Sequence, residues 1–222
     1  MFCRIIKSCS AIPFNFRTFS SRIGTTSSAA TEGVGARRDT GVIVENGKLN
    51  GKSLFAMDAS ADYYLVAMTE RQIYLVRADA DGLERKPLAT VDRTQSTCEL
   101  AYSNVPAELI SDDPAVFNQS LDCALVVMAA DTLGAAQCAL DQAVAYAGQR
   151  EQFNRVIASF QAVKHMCAEM AAALEPCRSM VWYAAHALDE LPDEAPMMAS
   201  HTKAHLSEVG QFVTRTATEV HG

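Results

Sequence analysis

The segment Tyr146-Ala-Gly-Gln-Arg-Glu-Gln-Phe-Asn-Arg-Val-Ile-Ala-Ser-Phe-Gln-Ala-Val-Lys-His-Met-Cys-Ala-Glu-Met170 joins two long amphipathic stretches through a short polar turn. The turn region carries Arg150, Gln152, Phe153 and Gln161. A guanidinium group binds phosphate oxygens through paired hydrogen bonds, amides add donors, and an aromatic ring can stack on a nucleobase. The segment therefore suits a planar, phosphorylated ligand, although charged residues in a turn between two helices are more often simply solvated.

Apolar residues on both sides of this turn recur every three or four positions, which is the spacing of one helical face. Asp113-Pro114 is a helix start signal, because Asp accepts amide hydrogen bonds at an N-cap and Pro is tolerated at the first helical position. We expect a helix from there to about Gly148, a second helix capped by Ser159, and a third that runs from the Leu191–Pro196 break to about Val220. The predicted apolar faces are Val126, Ala129, Leu133, Ala136, Leu140, Val144 and Ala147 on the first helix, and Phe160, Val163, Cys167, Met170, Leu174, Cys177, Val181, Ala184 and Leu188 on the second.

Residues from about Gly41 onward show a different pattern, with short runs rich in β-branched and aromatic residues. The dipeptides Asn46-Gly47, Asn50-Gly51 and Asp81-Gly82 lie between these runs and are favoured in hairpins. An antiparallel sheet is expected. The fold class is therefore α+β, with a partial antiparallel β-domain followed by an up-and-down bundle of the four-helix type that lacks its last helix.

Residues 1–31 contain four bases and no acid, a composition typical of a mitochondrial transit peptide. A disordered or spurious stretch joined to a fragment is the alternative. In either case we exclude this leader from the fold and divide the remainder into a β-domain over 40–112 and a helical domain over 113–222. The first alternative predicts the mitochondrial matrix as the location, and the second the cytoplasm.

The composition argues against several classes of function. The net charge is −7, and the basic leader makes the rest of the chain more acidic still, which disfavours nucleic acid or an anionic membrane as a partner. Seven cysteines form no CxxC or zinc spacing, which is typical of a reducing compartment. The most apolar stretch, residues 121–140, contains two aspartates, so no membrane span is expected. His201 and His205 share a helical face, but no motif supplies a third ligand and no metal is expected.

Arg150-Glu-Gln-Phe153, followed by Ile157-x-Ser-Phe-Gln-Ala-Val-Lys-His165, resembles the signature that opens the second bundle helix of acyl-CoA dehydrogenases. The resemblance extends over about residues 40 to 222 and includes the second half of the family's middle β-domain. It implies an FAD cofactor whose adenosine-diphosphate half binds this segment across a subunit interface, an acyl-CoA substrate, and a homo- or hetero-oligomer. Asn154 and Val156 replace the usual Gly and Pro, and Asn tolerates the left-handed backbone that such a turn needs.

The resemblance also assigns roles to individual residues. Leu121-Asp-Cys-Ala-Leu125 is similar to a Leu-Asp-x-x-Arg motif that positions the substrate, which implies a substrate-binding Asp122 but leaves Leu125 in place of the arginine. An isolated carboxylate near a helix N-terminus is more often a solvated, dipole-stabilising residue. Thr218–Gly222 resembles the start of a flavin-contacting Gln-x-His-Gly-Gly turn, with an acid in place of Gln that would repel a pyrophosphate. The cofactor-binding residues implied are Arg150, Gln152, Phe153, Phe160, Gln161, Glu219 and Gly222.

Members of this family remove the α-proton of a thioester with a carboxylate while a hydride leaves the β-carbon for the flavin. One family position for that base is Ala124 here, and the other lies beyond Gly222, so no catalytic residue is identified. Two functions follow. The chain is an acyl-CoA dehydrogenase-like flavoprotein that is inactive when isolated, or a non-catalytic partner that oligomerises and completes the FAD site of another chain.

Overall fold

The computed structural model describes residues 23–27, 41–68, 70–91 and 96–222, so most of the leader lies outside it. The chain divides into two compact units, and the division falls between Asn118 and Gln119. The first unit consists of strands, and the second consists mainly of helices. This is the α+β class that the sequence predicts.

The strand unit contains two four-stranded sheets within the described residues. One has the order β1-β4-β5-β8 and the other β2-β3-β7-β6. Their pairings are antiparallel except for β1 with β4, which is parallel. The strands are β1 (Ile23–Ser27), β2 (Gly41–Glu45), β3 (Lys48–Met57), β4 (Tyr63–Ala67), β5 (Ile73–Arg77), β6 (Leu83–Pro87), β7 (Thr97–Pro106) and β8 (Glu108–Ser111).

Strand β1 corrects two expectations from the sequence. It lies in the leader that we excluded from the fold, and its parallel pairing departs from a purely antiparallel sheet. Ile23 and the two threonines of this strand are β-branched, a residue type that favours extended backbone. A basic, serine-containing composition therefore masked a local strand signal.

The three hairpin dipeptides have different outcomes. Asn46 and Gly47 both have positive φ, 51° and 74°, and join β2 to β3 in a two-residue turn, as predicted. The prediction for Asn50-Gly51 is wrong, because both residues lie inside β3. Gly51 has φ +119° at a register shift, where an added Cβ would overlap the Gly41 carbonyl oxygen. Asp81-Gly82 forms a turn, but it connects strands of different sheets and not a paired hairpin.

The strand unit has one hydrophobic core to which both sheets contribute. Alternate residues of β4 and β5 point inward, as expected for strands with one buried face. Tyr64 is fully buried, and its hydroxyl donates a hydrogen bond of 3.0 Å to the Asp58 carbonyl. Because the hydroxyl has a hydrogen-bond partner, burial of this ring stabilises the strand unit. The other buried core residues include Leu49, Ala56, Val66, Tyr74, Val76, Cys98, Leu100, Tyr102 and Val105.

Among the described residues, the second unit contains three long helices, α1 (Pro114–Gln149), α2 (Gln161–Glu190) and α3 (Ala195–His221). The start of α1 is as predicted, because the Ala115 amide donates to the Asp113 carboxylate at 2.8 Å. The predicted cap of α2 is wrong. Ser159 lies in a short 3-10 turn and donates to the Val156 carbonyl at 2.7 Å, and Phe160 occupies the N-cap without a side-chain hydrogen bond.

The predicted helical faces are largely buried, with two corrections. Val144 is 49% exposed and the neighbouring Ala143 is fully buried, because the buried positions of α1 follow the spacing 136, 140, 143, 147. Phe160 does not pack against the helical core, although Ile157, Ala158 and Val163 around it do. The buried core residues are Ala129, Ala136, Leu140, Ala143, Ala147, Met170, Leu174, Cys177, Leu206, Val209, Val213, Ala217 and Val220.

Helix α1 alone among the described elements is long and apolar enough to cross a membrane. Length and composition are the only grounds for this, and one such helix is weak evidence because core helices of soluble proteins share both properties. The expectation of no membrane span stays a prediction.

Candidate functional site

The polar turn between α1 and α2 folds as a miniature hairpin. Strands β9 (Glu151–Gln152) and β10 (Arg155–Val156) pair in antiparallel register, and Phe153 and Asn154 form the two-residue loop. Both loop residues have positive φ, 54° and 62°, as a turn of type I′ requires. The prediction that Asn154 keeps the left-handed backbone is therefore confirmed. Phe153 adopts it too, although this conformation costs a residue with a side chain about 1–2 kcal/mol.

The hairpin is tied to the helical unit at its base. The Arg150 amide donates to the Tyr146 carbonyl, and the Ile157 amide donates to the Arg150 carbonyl, both at 2.8 Å. Ile157 and Ala158 then pack against the helical core. The backbone of Arg150 is thus fixed on both sides, while its side chain is exposed.

Two aromatic rings and a guanidinium group lie together on the hairpin. The rings of Phe153 and Phe160 meet edge to face, with centroids 6.0 Å apart and planes at 86°. The Arg155 guanidinium carbon lies 4.0 Å from the centroid of the Phe160 ring. Arg155 was missed in the sequence analysis, because a spacing of five residues brings side chains together only once the hairpin is known.

The charge of the turn is opposite to that of the chain as a whole. Residues 142–168 contain Arg150, Arg155 and Lys164 against a single acid, Glu151. Within the described part of the chain, neither Arg150 nor Arg155 forms an ion pair with a carboxylate. Two guanidinium groups without anionic partners, close to exposed amides, can bind phosphate oxygens.

The C-terminal end of α3 lies at the same end of the bundle as this hairpin. The His221 ring stacks on Tyr146, with centroids 4.6 Å apart and planes at 27°, and Tyr146 is one turn before Arg150 on the chain. Glu219 and Gly222 flank His221 in sequence. The Glu219 carboxylate lies 3.9 Å from the Arg215 guanidinium, which partly offsets its charge. The structure thus brings all the sequence-predicted cofactor residues to one end of the helical unit.

Asp122 lies far from that end. It precedes Arg150 by 28 residues, and α1 is continuous between them, so the two are separated by about 42 Å along the helix. Asp122 is half-buried, and burial raises the pKa of its carboxyl above the usual value. Ala124 beside it is exposed, whereas Leu125 packs against a small cluster of Val126, Ala184 and Ala199.

The histidines and cysteines singled out in the sequence do not form a metal site within the described residues. No group of three or more His, Cys, Asp or Glu side chains is placed to hold a metal ion in the described ranges, and this includes the surroundings of His201 and His205. Among the described cysteines, Cys98 and Cys177 are buried like small hydrophobic residues.

Comparison with known proteins identifies the family. Residues 115–222 match the model of the acyl-CoA dehydrogenase C-terminal domain. A probable acyl-CoA dehydrogenase of Mycobacterium tuberculosis, FadE25, is 30% identical over 179 residues, which cover 78% of this chain and 42% of FadE25. A caffeyl-CoA reductase-Etf complex subunit of Acetobacterium woodii, CarC, is 38% identical over 104 residues, which cover 47% of this chain and 27% of CarC.

A solved structure gives the same result. Butyryl-CoA dehydrogenase from Megasphaera elsdenii superposes with a TM-score of 0.71 and 26% identity, over 90% of this chain and 53% of the enzyme. The chain belongs to the acyl-CoA dehydrogenase family and spans about half or less of the length of these relatives. Acyl-CoA dehydrogenases are flavoproteins.

Proposed function

We propose that the hairpin between α1 and α2 binds the adenosine-diphosphate half of FAD in an acyl-CoA dehydrogenase-like flavoprotein. The observation that carries the proposal is the grouping of the exposed Arg150 guanidinium, exposed amides and two aromatic rings on one fixed turn. Among the described residues, Arg150 forms no ion pair with a carboxylate. This donor set matches the ligand, which presents an anionic pyrophosphate and a flat, uncharged base.

Each part of the turn has a distinct task in this proposal. Arg150, whose backbone is held by Tyr146 and Ile157, directs its guanidinium to the pyrophosphate. Gln152 and Gln161 are exposed and offer amide donors and acceptors to the ribose and base. Phe153 and Phe160 supply apolar surface for the adenine. When bound, FAD would supply the hydride acceptor for α,β-dehydrogenation of an acyl-CoA thioester.

The length of α1 supports a site shared between chains. Arg150 and Asp122 lie about 42 Å apart along this helix, which is too far for one compact site to use both. If Asp122 contacts the acyl-CoA, the substrate region of one chain must then combine with the hairpin of another. Exposed apolar side chains on α1, such as Leu121 at 50% and Met128 at 54%, provide surface for such an association.

A second candidate is a non-catalytic partner that binds the nucleotide part of FAD and assembles with a catalytic chain. Ala124 and Leu125 favour it, because one cannot act as a base and the other cannot hold a substrate oxygen. Both candidates use the same hairpin. Neither flavin binding nor activity of the chain alone separates them, because both candidates predict FAD binding without turnover by the isolated chain.

The test of the hairpin is the FAD affinity of Arg150→Ala and Arg150→Lys, measured by flavin fluorescence titration. Loss of hydrogen bonds to a charged group costs about 1.5–3 kcal/mol, so we expect Arg150→Ala to weaken FAD binding about 10- to 150-fold. The lysine variant should lose less because it keeps the charge. Arg178→Ala is the matched control, since Arg178 is an exposed arginine in the middle of α2 that bonds Glu175 and Gln137. If Arg150→Ala and the unsubstituted chain bind FAD with equal affinity, the proposal that this hairpin binds FAD is wrong.

A further inference from the structure

The Phe160 ring contacts two side chains of the hairpin, Phe153 and Arg155. Phe160 is half-buried and does not belong to the helical core, although its neighbours Ile157 and Val163 pack there. Its ring instead meets the Arg155 guanidinium at 4.0 Å on one face and the Phe153 ring edge to face at 6.0 Å. Phe153 is itself 85% exposed, and Arg155 contacts the Phe160 ring from outside the aromatic pair.

The backbone explains why Arg155 reaches this position. Arg155 pairs with Gln152 directly across the two-residue loop, so the hairpin returns it toward the start of α2. The loop itself places a bulky aromatic residue, Phe153, at φ +54° and leaves its ring in solvent. Strained backbone and exposed apolar rings both occur at binding sites.

We infer that Arg155 is a positioning residue for the base-binding part of this site. Its cation–π contact holds Phe160 at nearly a right angle to Phe153, so the two rings form a preformed corner for one flat heterocycle. The inference rests on the proposed nucleotide site and adds a specificity to it. The turn selects adenine nucleotides over base-free pyrophosphate, and Arg155 contributes to that selection without contact to the base.

A neutral ligand separates this role from simple attraction between Arg155 and phosphate. Adenosine carries no charge, so a guanidinium that only attracts phosphate has no effect on adenosine binding. A guanidinium that fixes the Phe160 ring affects adenosine and ADP alike. The variants needed are Arg155→Met, which keeps the aliphatic stem and removes the cation, Arg155→Lys, which keeps a cation, and Phe160→Leu, which removes the ring.

The experiment is an NMR titration of the full 222-residue chain and each variant with adenosine, ADP and pyrophosphate. We expect Arg155→Met to weaken adenosine and ADP binding about two- to five-fold, the factor that corresponds to an exposed cation–π contact, and to shift the Phe160 ring resonances. Arg155→Lys should restore most of the affinity. In the Phe160→Leu background, Arg155→Met should have no further effect on adenosine. Unchanged thermal unfolding of each variant controls for misfolding.

The titrations test the positioning role of Arg155 separately from the nucleotide site itself. If the unsubstituted chain binds neither ADP nor adenosine, the nucleotide site itself is wrong and the role of Arg155 is wrong with it. If it binds both, but Arg155→Met leaves adenosine binding unchanged, only the positioning role fails. A loss confined to ADP and pyrophosphate would assign Arg155 to phosphate attraction. An effect on adenosine that persists without the Phe160 ring would also overturn the inference.

Discussion

Gly210 lies at a close approach of α3 to α1, and its replacement by alanine tests the packing of the helical unit. A Cβ at this position would lie 2.7 Å from Cγ2 of Thr132, well inside normal contact distance. Thr132 cannot simply rotate away, because its hydroxyl donates a hydrogen bond of 2.8 Å to the Met128 carbonyl. Both β-branching and this hydrogen bond hold the methyl group toward α3.

Two opposing effects determine the free energy of unfolding of Gly210→Ala. Alanine is favoured over glycine in a helix interior by about 1 kcal/mol. Overpacking of a well-filled contact costs about 1–3 kcal/mol. Since Thr132 is held in place, we expect the clash to dominate, with a net loss of about 1 kcal/mol. In a Thr132→Ser background the methyl is gone and the hydroxyl remains, so Gly210→Ala should there stabilise by about 1 kcal/mol.

The assay is urea unfolding of the four members of this double-mutant cycle, followed by far-UV circular dichroism, whose signal comes mainly from the helices. We expect a coupling of about 2 kcal/mol between the two positions. Additive effects, with Gly210→Ala equally destabilising in both backgrounds, would show that α1 and α3 do not meet at this point.

Three further predictions concern charge, association and catalysis. Burial raises the pKa of Asp122 in the folded state, so this group favours folding only when protonated, and its penalty appears as the pH rises through the folded pKa. Asp122→Asn should therefore raise the urea midpoint at pH 7 and have little effect below the usual carboxyl pKa of 3.8, and a lower midpoint at pH 7 would contradict this. Exposed apolar side chains on all three helices, among them Met128, Trp182 and Met197, should drive association, so light scattering that finds a compact monomer without dye binding would be the contrary result. The FAD-supplemented chain alone should not reduce an artificial electron acceptor with any of a panel of acyl-CoA thioesters, and turnover would direct attention to Asp122.

Local signals in the sequence were sufficient for much of the fold. Asp113-Pro114 starts α1 because its capping chemistry acts within one turn of the chain, and Asn46-Gly47 forms a hairpin because both residues accept positive φ. Asn50-Gly51 carries the same local signal but lies inside a strand. Its glycine is required by the close approach of the Gly41 carbonyl from β2, a contact that only the paired strands create.

The sequence predicted most residues of the candidate site, but it did not predict how their side chains contact one another. The family resemblance assigned Arg150 and Phe153 to it, and the hairpin brings them to one end of the bundle. The resemblance did not assign Arg155, whose contact with Phe160 depends on strand register and on the absence of Phe160 from the core. Likewise, Val144 was predicted to be buried but is exposed, and its neighbour Ala143 is buried instead. The neighbouring helices determine which face of α1 is buried.

Recognition of the adenosine-diphosphate half of FAD by the hairpin between α1 and α2 can be tested without any substitution. The experiment compares FAD with riboflavin, which lacks that half, by fluorescence titration of the unsubstituted chain, followed by displacement with ADP. We expect FAD to bind more tightly than riboflavin, and ADP to displace FAD competitively. Equal binding of FAD and riboflavin, with no displacement by ADP, would contradict it.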